Sequence, residues 1–403
     1  MKDQGTPGAA RRQLDIESRS IWAGVVAGIL AVIVGAIAFR GYRPPLAGDG
    51  SVAIYASVVS GVMAGAGFVA GYVQNIRTVH LWLGARPVIR QILDVAALLV
   101  VHASIATMSA LVLFRLFQQA FSGLTVDPVA GTVMLAVSAG VAGYFGYISG
   151  ARITAIALSV MLAVFMSSGM LVSMLYAENP LWWHSMFSEL GTGQAGLTSF
   201  WTFNTTITTS GIILTTLSAF ITRDLKQWAD VVAAAKRHDE SGARRWHRTL
   251  GVQRLMRPRP GVVRTCLVAG GVCMVGIGLF PVNTFEPVHT FFVRVLAVFL
   301  LVLLAGVPLW LPGFPKAFFL LTYLAVGALV AAAALWRPLQ YYNLTALELA
   351  AAGIVFAWLV VFIRNTTAVV ASAGVEPAVP GLPAGPLEDE KPRNDGSGHI
   401  TNR

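Results

Sequence analysis

The sequence predicts an all-α fold, a polytopic transmembrane helix bundle of about ten spans with both termini cytoplasmic. Three observations lead there. The chain has 403 residues, 56% hydrophobic and only 12% charged, with mean hydropathy +0.68; a soluble chain of this length carries about twice that charged fraction. Apolar runs of about 18–25 residues, long enough to cross a bilayer, recur throughout. Between them the Lys and Arg residues alternate from one loop to the next but one, the pattern expected of cytoplasmic loops.

The predicted spans are 21–39, 51–74, 92–115, 128–148, 154–176, 197–221, 264–281, 291–312, 318–336 and 346–363. The first follows Arg11, Arg12 and Arg19 and contains Ala36-Ile37-Ala38, which mimics a cleavage site. At about 19 residues it exceeds the roughly 7–15 of a secretory apolar region, so it reads as an uncleaved span after a cytoplasmic arm, 1–19. The second and fourth spans carry small-residue stripes, Gly61/Gly65, Gly67/Gly71 and Gly146/Gly150, which permit close helix approach.

The first bundle therefore covers 20–176. An outer loop and a polar sixth span follow over 177–221. This sixth span carries Thr198, Thr202, Asn204, Thr205, Thr206, Thr208, Thr209 and Ser210. Unbonded hydroxyls and amides are costly in hydrocarbon, so its polar face belongs inside the bundle. The basic loop 222–263 holds ten Lys/Arg against four Asp/Glu up to Pro260. Leu225, Trp228 and Val232 recur there at helical spacing and predict a short amphipathic helix on the membrane face. Spans seven to ten fill 264–364, and the Pro-, Gly- and charge-rich tail, 365–403, reads as disordered.

The N-terminal arm, the 76–90 loop with Arg77, Arg86 and Arg90, then Arg152, loop 222–263, Lys316 and Arg364 fall on one side. Loops 117–127, 177–196 and 282–290 on the other contain no Lys or Arg. The net charge of +10 therefore sets topology and meets anionic lipid at the basic loop, rather than nucleic acid. Cys266 and Cys273 share one apolar span and make neither a disulfide framework nor a metal motif. Nucleotide-loop, dinucleotide-fold and metalloprotease motifs are absent from the sequence, and no cofactor is expected.

Candidate chemistry gathers at the outer ends of spans five to eight. His184, Ser188 and Glu189 lie in the 177–196 loop, and Asn204 enters the next span. Glu286 and His289 fall in the 282–290 loop, with Arg294 about one turn into span eight. Two histidines and two carboxylates can bind a divalent metal or act as acid and base at the headgroup level, although none has metal-ligand spacing. The same residues also suit an ordinary interfacial loop, with Trp182 and Trp183 in an aromatic belt. Loop pairing predicts Glu189 and His289 within one water-bridged distance, over a pocket floored by Asn204. Arg294 can snorkel, pair with Glu189 or Glu286, or hold an anionic headgroup.

Asp94 and His102 share one helix eight residues apart, about 12 Å along its axis. They are the candidates for a proton relay, against the simpler readings of a helix-start carboxylate and a histidine bonded to a neighbouring helix. Glu348 follows Thr345 by three, a capping-box spacing with a structural role.

Ser188–Gly191 (S-E-L-G), Phe203-Asn204, Gly278–Pro281 (G-L-F-P) and His289 together resemble a pattern in bacterial multi-span proteins similar to the Frag/DRAM/Sfk group. The resemblance covers about residues 182–310. Glu189 stands where that pattern has Asp, and several spans precede the matching region. The resemblance implies a multi-span membrane protein with a link to lipids or the cell envelope, and supplies no catalytic residue.

The leading expectation is a plasma-membrane protein that handles a membrane or envelope lipid. The alternatives are a secondary transporter with a path along span six, a headgroup-acting enzyme using His184, Glu189 and His289, and a scaffold for envelope protein partners.

Overall fold

The computed structural model describes residues 7–75, 88–240 and 258–372. Eleven α-helices run in order: α1 (Pro7–Ala38), α2 (Val52–Asn75), α3 (Val88–Ala120), α4 (Pro128–Ala151), α5 (Ala155–Leu175), α6 (Leu197–Glu240), α7 (Pro260–Leu279), α8 (Val282–Ala305), the short α9 (Val307–Trp310), α10 (Lys316–Trp336) and α11 (Leu344–Ser372). All but α9 are long and apolar enough to cross a membrane, which gives ten candidate spans among the described residues. No strand occurs among them; one isolated bridge joins Pro45 to Thr125.

The helices begin where local chemistry satisfies their first N–H groups. Asp127 Oδ1 accepts from the Val129 and Ala130 N–H groups, and Pro128 opens α4 with a fixed φ. Thr154 caps α5 through Ala157 N–H at 3.1 Å. Asn343, rather than Thr345, caps α11: its Oδ1 accepts from Ala346 N–H at 3.1 Å.

Small residues decide which helices mate. A Cβ on Gly71 would sit 2.2 Å from Tyr147 O, and one on Gly150 2.2 Å from Phe68 O, so α2 and α4 approach to backbone contact. Gly24 and Gly140 also bring α1 against α4, less closely, with Cβ positions 2.9 and 3.2 Å from each other's carbonyl oxygens. Gly61 and Gly65 instead face Thr107 and Leu99 of α3. The paired stripes in the sequence thus make a close-packed α1–α4–α2 layer with α3 on its flank.

The largest core lies beyond that layer. Phe165 of α5, Ile213 and Leu217 of α6, Leu303 of α8 and Phe362 of α11 are buried together, and Phe318, Trp358 and Phe362 stack between α10 and α11. α6 and α7 mate through Gly211 and Gly271, whose Cβ positions would each clash with the other's carbonyl.

Several boundaries differ from the sequence reading. α1 starts at Pro7, so residues 7–19 of the expected arm are helical. α6 continues past 221 to Glu240; Leu225 and Trp228 are buried, and Trp228 meets Phe314 at 5.4 Å. The amphipathic stripe therefore faces the protein core, not lipid. α11 continues to Ser372, so 365–372 is helix; the rest of the tail, and Arg77, Arg86, Arg254 and Arg257, lie outside the described residues. The expected 282–290 loop does not exist. Pro281 precedes α8 directly, and the helix runs through a kink at Phe285 (φ −132°, ψ 45°) beside Pro287. Because Phe285 interrupts the helix, Pro287 falls in the first turn of the segment that restarts after it, where its missing N–H has no partner to lose.

Candidate functional site

One end of the bundle is held by a loop of three short 3₁₀ turns, Trp182–His184, Phe187–Gly191 and Gly193–Ala195, leading into α6 through Gly196 at φ +89°. Phe187, Leu190 and Phe203 bury against one another beneath it. Ser199 Oγ donates to Leu190 O, and Asn204 Nδ2 donates to both Gly191 O and Phe200 O at 2.9 Å. Asn204 thus spends its amide protons on fixing the turn. From the last span, Asn343 Nδ2 donates to Trp183 O and Glu348 accepts Phe187 N–H, each at 2.5 Å.

The sequence candidates each have their own partners. Glu189 is half-buried and accepts from the Thr192 hydroxyl at 3.2 Å. His289 is buried, and its Nδ1 bonds Phe280 O at 2.9 Å, clamping the α7–α8 corner. The Phe187–Gly191 turn packs against α8, yet no hydrogen bond or ion pair joins Glu189 to His289 among the described residues. His184 is exposed with its ring 3.9 Å from that of Trp183. Glu286 is exposed on the first turns of α8. Arg294 is exposed twelve residues into α8, not one turn in, because the helix begins at Val282.

His102 is buried against Phe68, ring to ring at 4.3 Å; its Nδ1 meets Leu98 O at 2.6 Å and its Nε2 meets Ser149 Oγ at 2.8 Å. Both ring nitrogens are therefore engaged between α2, α3 and α4. Asp94 lies in the second turn of α3, with its side chain outside the described residues. No group of three or more His, Cys, Asp or Glu among the described residues has the geometry to hold a metal ion.

The polar face of α6 is largely interior: Thr202, Asn204, Thr206, Thr209 and Ser210 are buried, with Thr205 and Thr208 partly so. Thr208 meets Gly278 of α7 and Thr206 meets Gly169 of α5. These hydroxyls fit against glycine, which leaves the span tightly packed at those positions.

Two features escaped the sequence reading. Arg115, near the C-terminal end of α3, lies over the Tyr176 ring at 5.5 Å, and its Nε is buried without an acceptor. The signal was present as a lone arginine closing an apolar run. The second is a shallow open groove on the flank between α1 and α4. Ile21, Val25 and Gly28 line one wall, and Val137, Val141 and Tyr144 the other. Tyr144 OH donates to Glu17 at 2.6 Å at one end, and Arg19 and Tyr147 both donate to Gln74 nearby. The feature is a shallow apolar groove open along its length, floored by Gly24 and Gly140, and a hydrocarbon chain can lie along it with a polar head near the hydroxyl, carboxylate and guanidinium groups at one end.

Compared with known proteins, the chain matches no family model, no curated protein and no solved structure.

Proposed function

We propose that this multi-pass protein resides in the plasma membrane with both termini cytoplasmic and binds a membrane or envelope lipid, without a cofactor, along the α1–α4 groove. The groove carries this reading. Its lining is apolar, and its mouth opens between exposed Ile21, Val25, Val137 and Val141 on a flank that hydrocarbon would cover. The polar end, with Glu17, Arg19, Tyr144 and, two turns on, Arg152, falls at the basic side of the chain, where an anionic headgroup is favoured. The resemblance over 182–310 points toward lipids as well. The outer residues His184, Glu189 and Glu286, with Asn204, His289 and Arg115 behind them, remain the proposed second contact region for a headgroup.

Transport along α6 has less support, since its hydroxyls meet glycine backbone at close range. Headgroup catalysis by His184, Glu189 and His289 has less support, since among the described residues no hydrogen bond joins any two of them.

Native mass spectrometry of the full chain in mild detergent tests the reading. The wild type is expected to retain a lipid that Val25→Trp with Val141→Trp, filling the groove from its mouth, releases. Equal retention by both proteins would count against the groove.

A further inference from the structure

α8 carries an arginine where a bilayer is least able to solvate it. Arg294 lies twelve residues from Val282 and eleven from Ala305, about 17 Å from either helix end. The packing register gives the same depth independently. Gly211, near the middle of the apolar stretch of α6, sits against Gly271 of α7. Gly270 and Gly276 of α7 then face Leu296 and Phe292 of α8, and these two residues bracket Arg294. The guanidinium is therefore rooted within roughly a turn of the bilayer midplane, too deep for simple snorkelling to a headgroup.

The side chain is exposed and makes no hydrogen bond or ion pair with any described residue. Around it Phe291, Val298 and Leu301 are also exposed, spaced three and four residues apart as in a helix–helix seam. An intramembrane cation on such a stripe requires a counter-group supplied from outside the described chain.

We infer that the α8 stripe receives a transmembrane helix of another membrane protein, with an Asp or Glu at mid-membrane depth opposite Arg294. A second copy does not fit. Copies inserted in one orientation keep each residue at its own depth, so Arg294 would meet mid-depth groups of the same chain. Among the described residues no exposed carboxylate lies there: Glu286 is eight residues nearer the outer end, and Glu348 is at the start of α11. Asp15 and Glu17 lie near the start of α1, Asp224, Asp230, Asp239 and Glu240 in the last part of α6, and Asp49, Asp127, Glu178 and Glu189 between the spans. Asp94 belongs to the second turn of α3, and the carboxylates outside the described residues, Asp3 and those from Glu376 on, belong by sequence to polar terminal segments. Charge and depth together select a different, acidic helix.

The test uses the full chain in phosphatidylcholine vesicles, labelled at Ser185→Cys, with acceptor-labelled poly-leucine transmembrane peptides bearing a central Asp, a central Lys or neither. Energy transfer is expected to show about tenfold stronger association for the Asp peptide, the scale of an interhelical polar contact. Arg294→Leu removes that preference, and Arg294→Lys retains most of it. Equal association of all three peptides with the wild type overturns the inference, whether or not the variants fold. So does an Asp preference that survives in Arg294→Leu. Wild-type self-association abolished by Arg294→Leu would overturn it in favour of a second copy.

Discussion

Glu348, in the second turn of α11, accepts the backbone N–H of Phe187 at 2.5 Å and so ties the last span to a loop 161 residues earlier. The 3₁₀ loop has few backbone bonds of its own to the bundle, and this contact with Asn343–Trp183 anchors one side of it. Glu348→Ala is expected to lower stability by about 1–3 kcal/mol, the range for losing an acceptor to a buried donor. Hydrogen exchange across 177–196 should rise in that variant, while Glu348→Gln keeps an acceptor and much of the protection. Unchanged exchange in Glu348→Ala would show that the loop is held elsewhere.

The glycine contacts make a sharper test of the first bundle. Gly71→Ala or Gly150→Ala pushes a methyl into a backbone carbonyl on the facing helix and is expected to cost about 1–3 kcal/mol. Gly327→Ala and Gly353→Ala meet nothing within 4 Å and should be neutral, or stabilise by up to about 1 kcal/mol through helix propensity. Thermal unfolding of the four purified variants compares them directly.

Asp127 gives a pH signature. The Ala130 N–H, first, and the Val129 N–H hold its carboxyl below the usual carboxylate range. A depressed folded value stabilises above the unfolded value of about 3.9 and is lost as pH falls through the folded one. The melting temperature of Asp127→Asn, which keeps an uncharged acceptor, should fall less steeply between about pH 5 and pH 3 than that of the wild type. Parallel curves would assign the acid response to other groups.

Orientation is open to labelling. Ser185 and Lys226 are exposed on opposite ends of the bundle, and the native Cys266 and Cys273 are buried. Ser185→Cys in intact cells is expected to react with a membrane-impermeant thiol reagent, and Lys226→Cys only after permeabilisation. The reverse pattern would invert the topology.

The ten helices were legible because apolar length is a property of sequence alone. The stripes Gly67/Gly71 and Gly146/Gly150 were legible as surfaces for close approach, but that they face each other's helices depends on the tertiary arrangement. The α7–α8 corner was not legible. Pro281 and Pro287 resemble loop residues in sequence, but the first precedes a helix and the second occupies a kink inside it. That misplacement carried Glu286, His289 and Arg294 with it and hid the depth of Arg294. Asn204 was legible as buried, but its partner, the Gly191 carbonyl, depends on how the loop folds back. The α1–α4 groove could not be read at all, because it exists only through the spacing of two helices distant in sequence.

Lipid occupancy of that groove is tested most directly by crosslinking. A phospholipid with a photoactivatable group in its acyl chain, incorporated in vesicles with the full chain, is irradiated, and the adducts are mapped by peptide mass. Adducts are expected to concentrate on Ile21–Gly28 and Ala136–Tyr144 and to fall away in Val25→Trp with Val141→Trp. Adducts spread evenly over the exposed faces of α1, α4, α8 and α10, unchanged by those substitutions, would contradict a lipid site there.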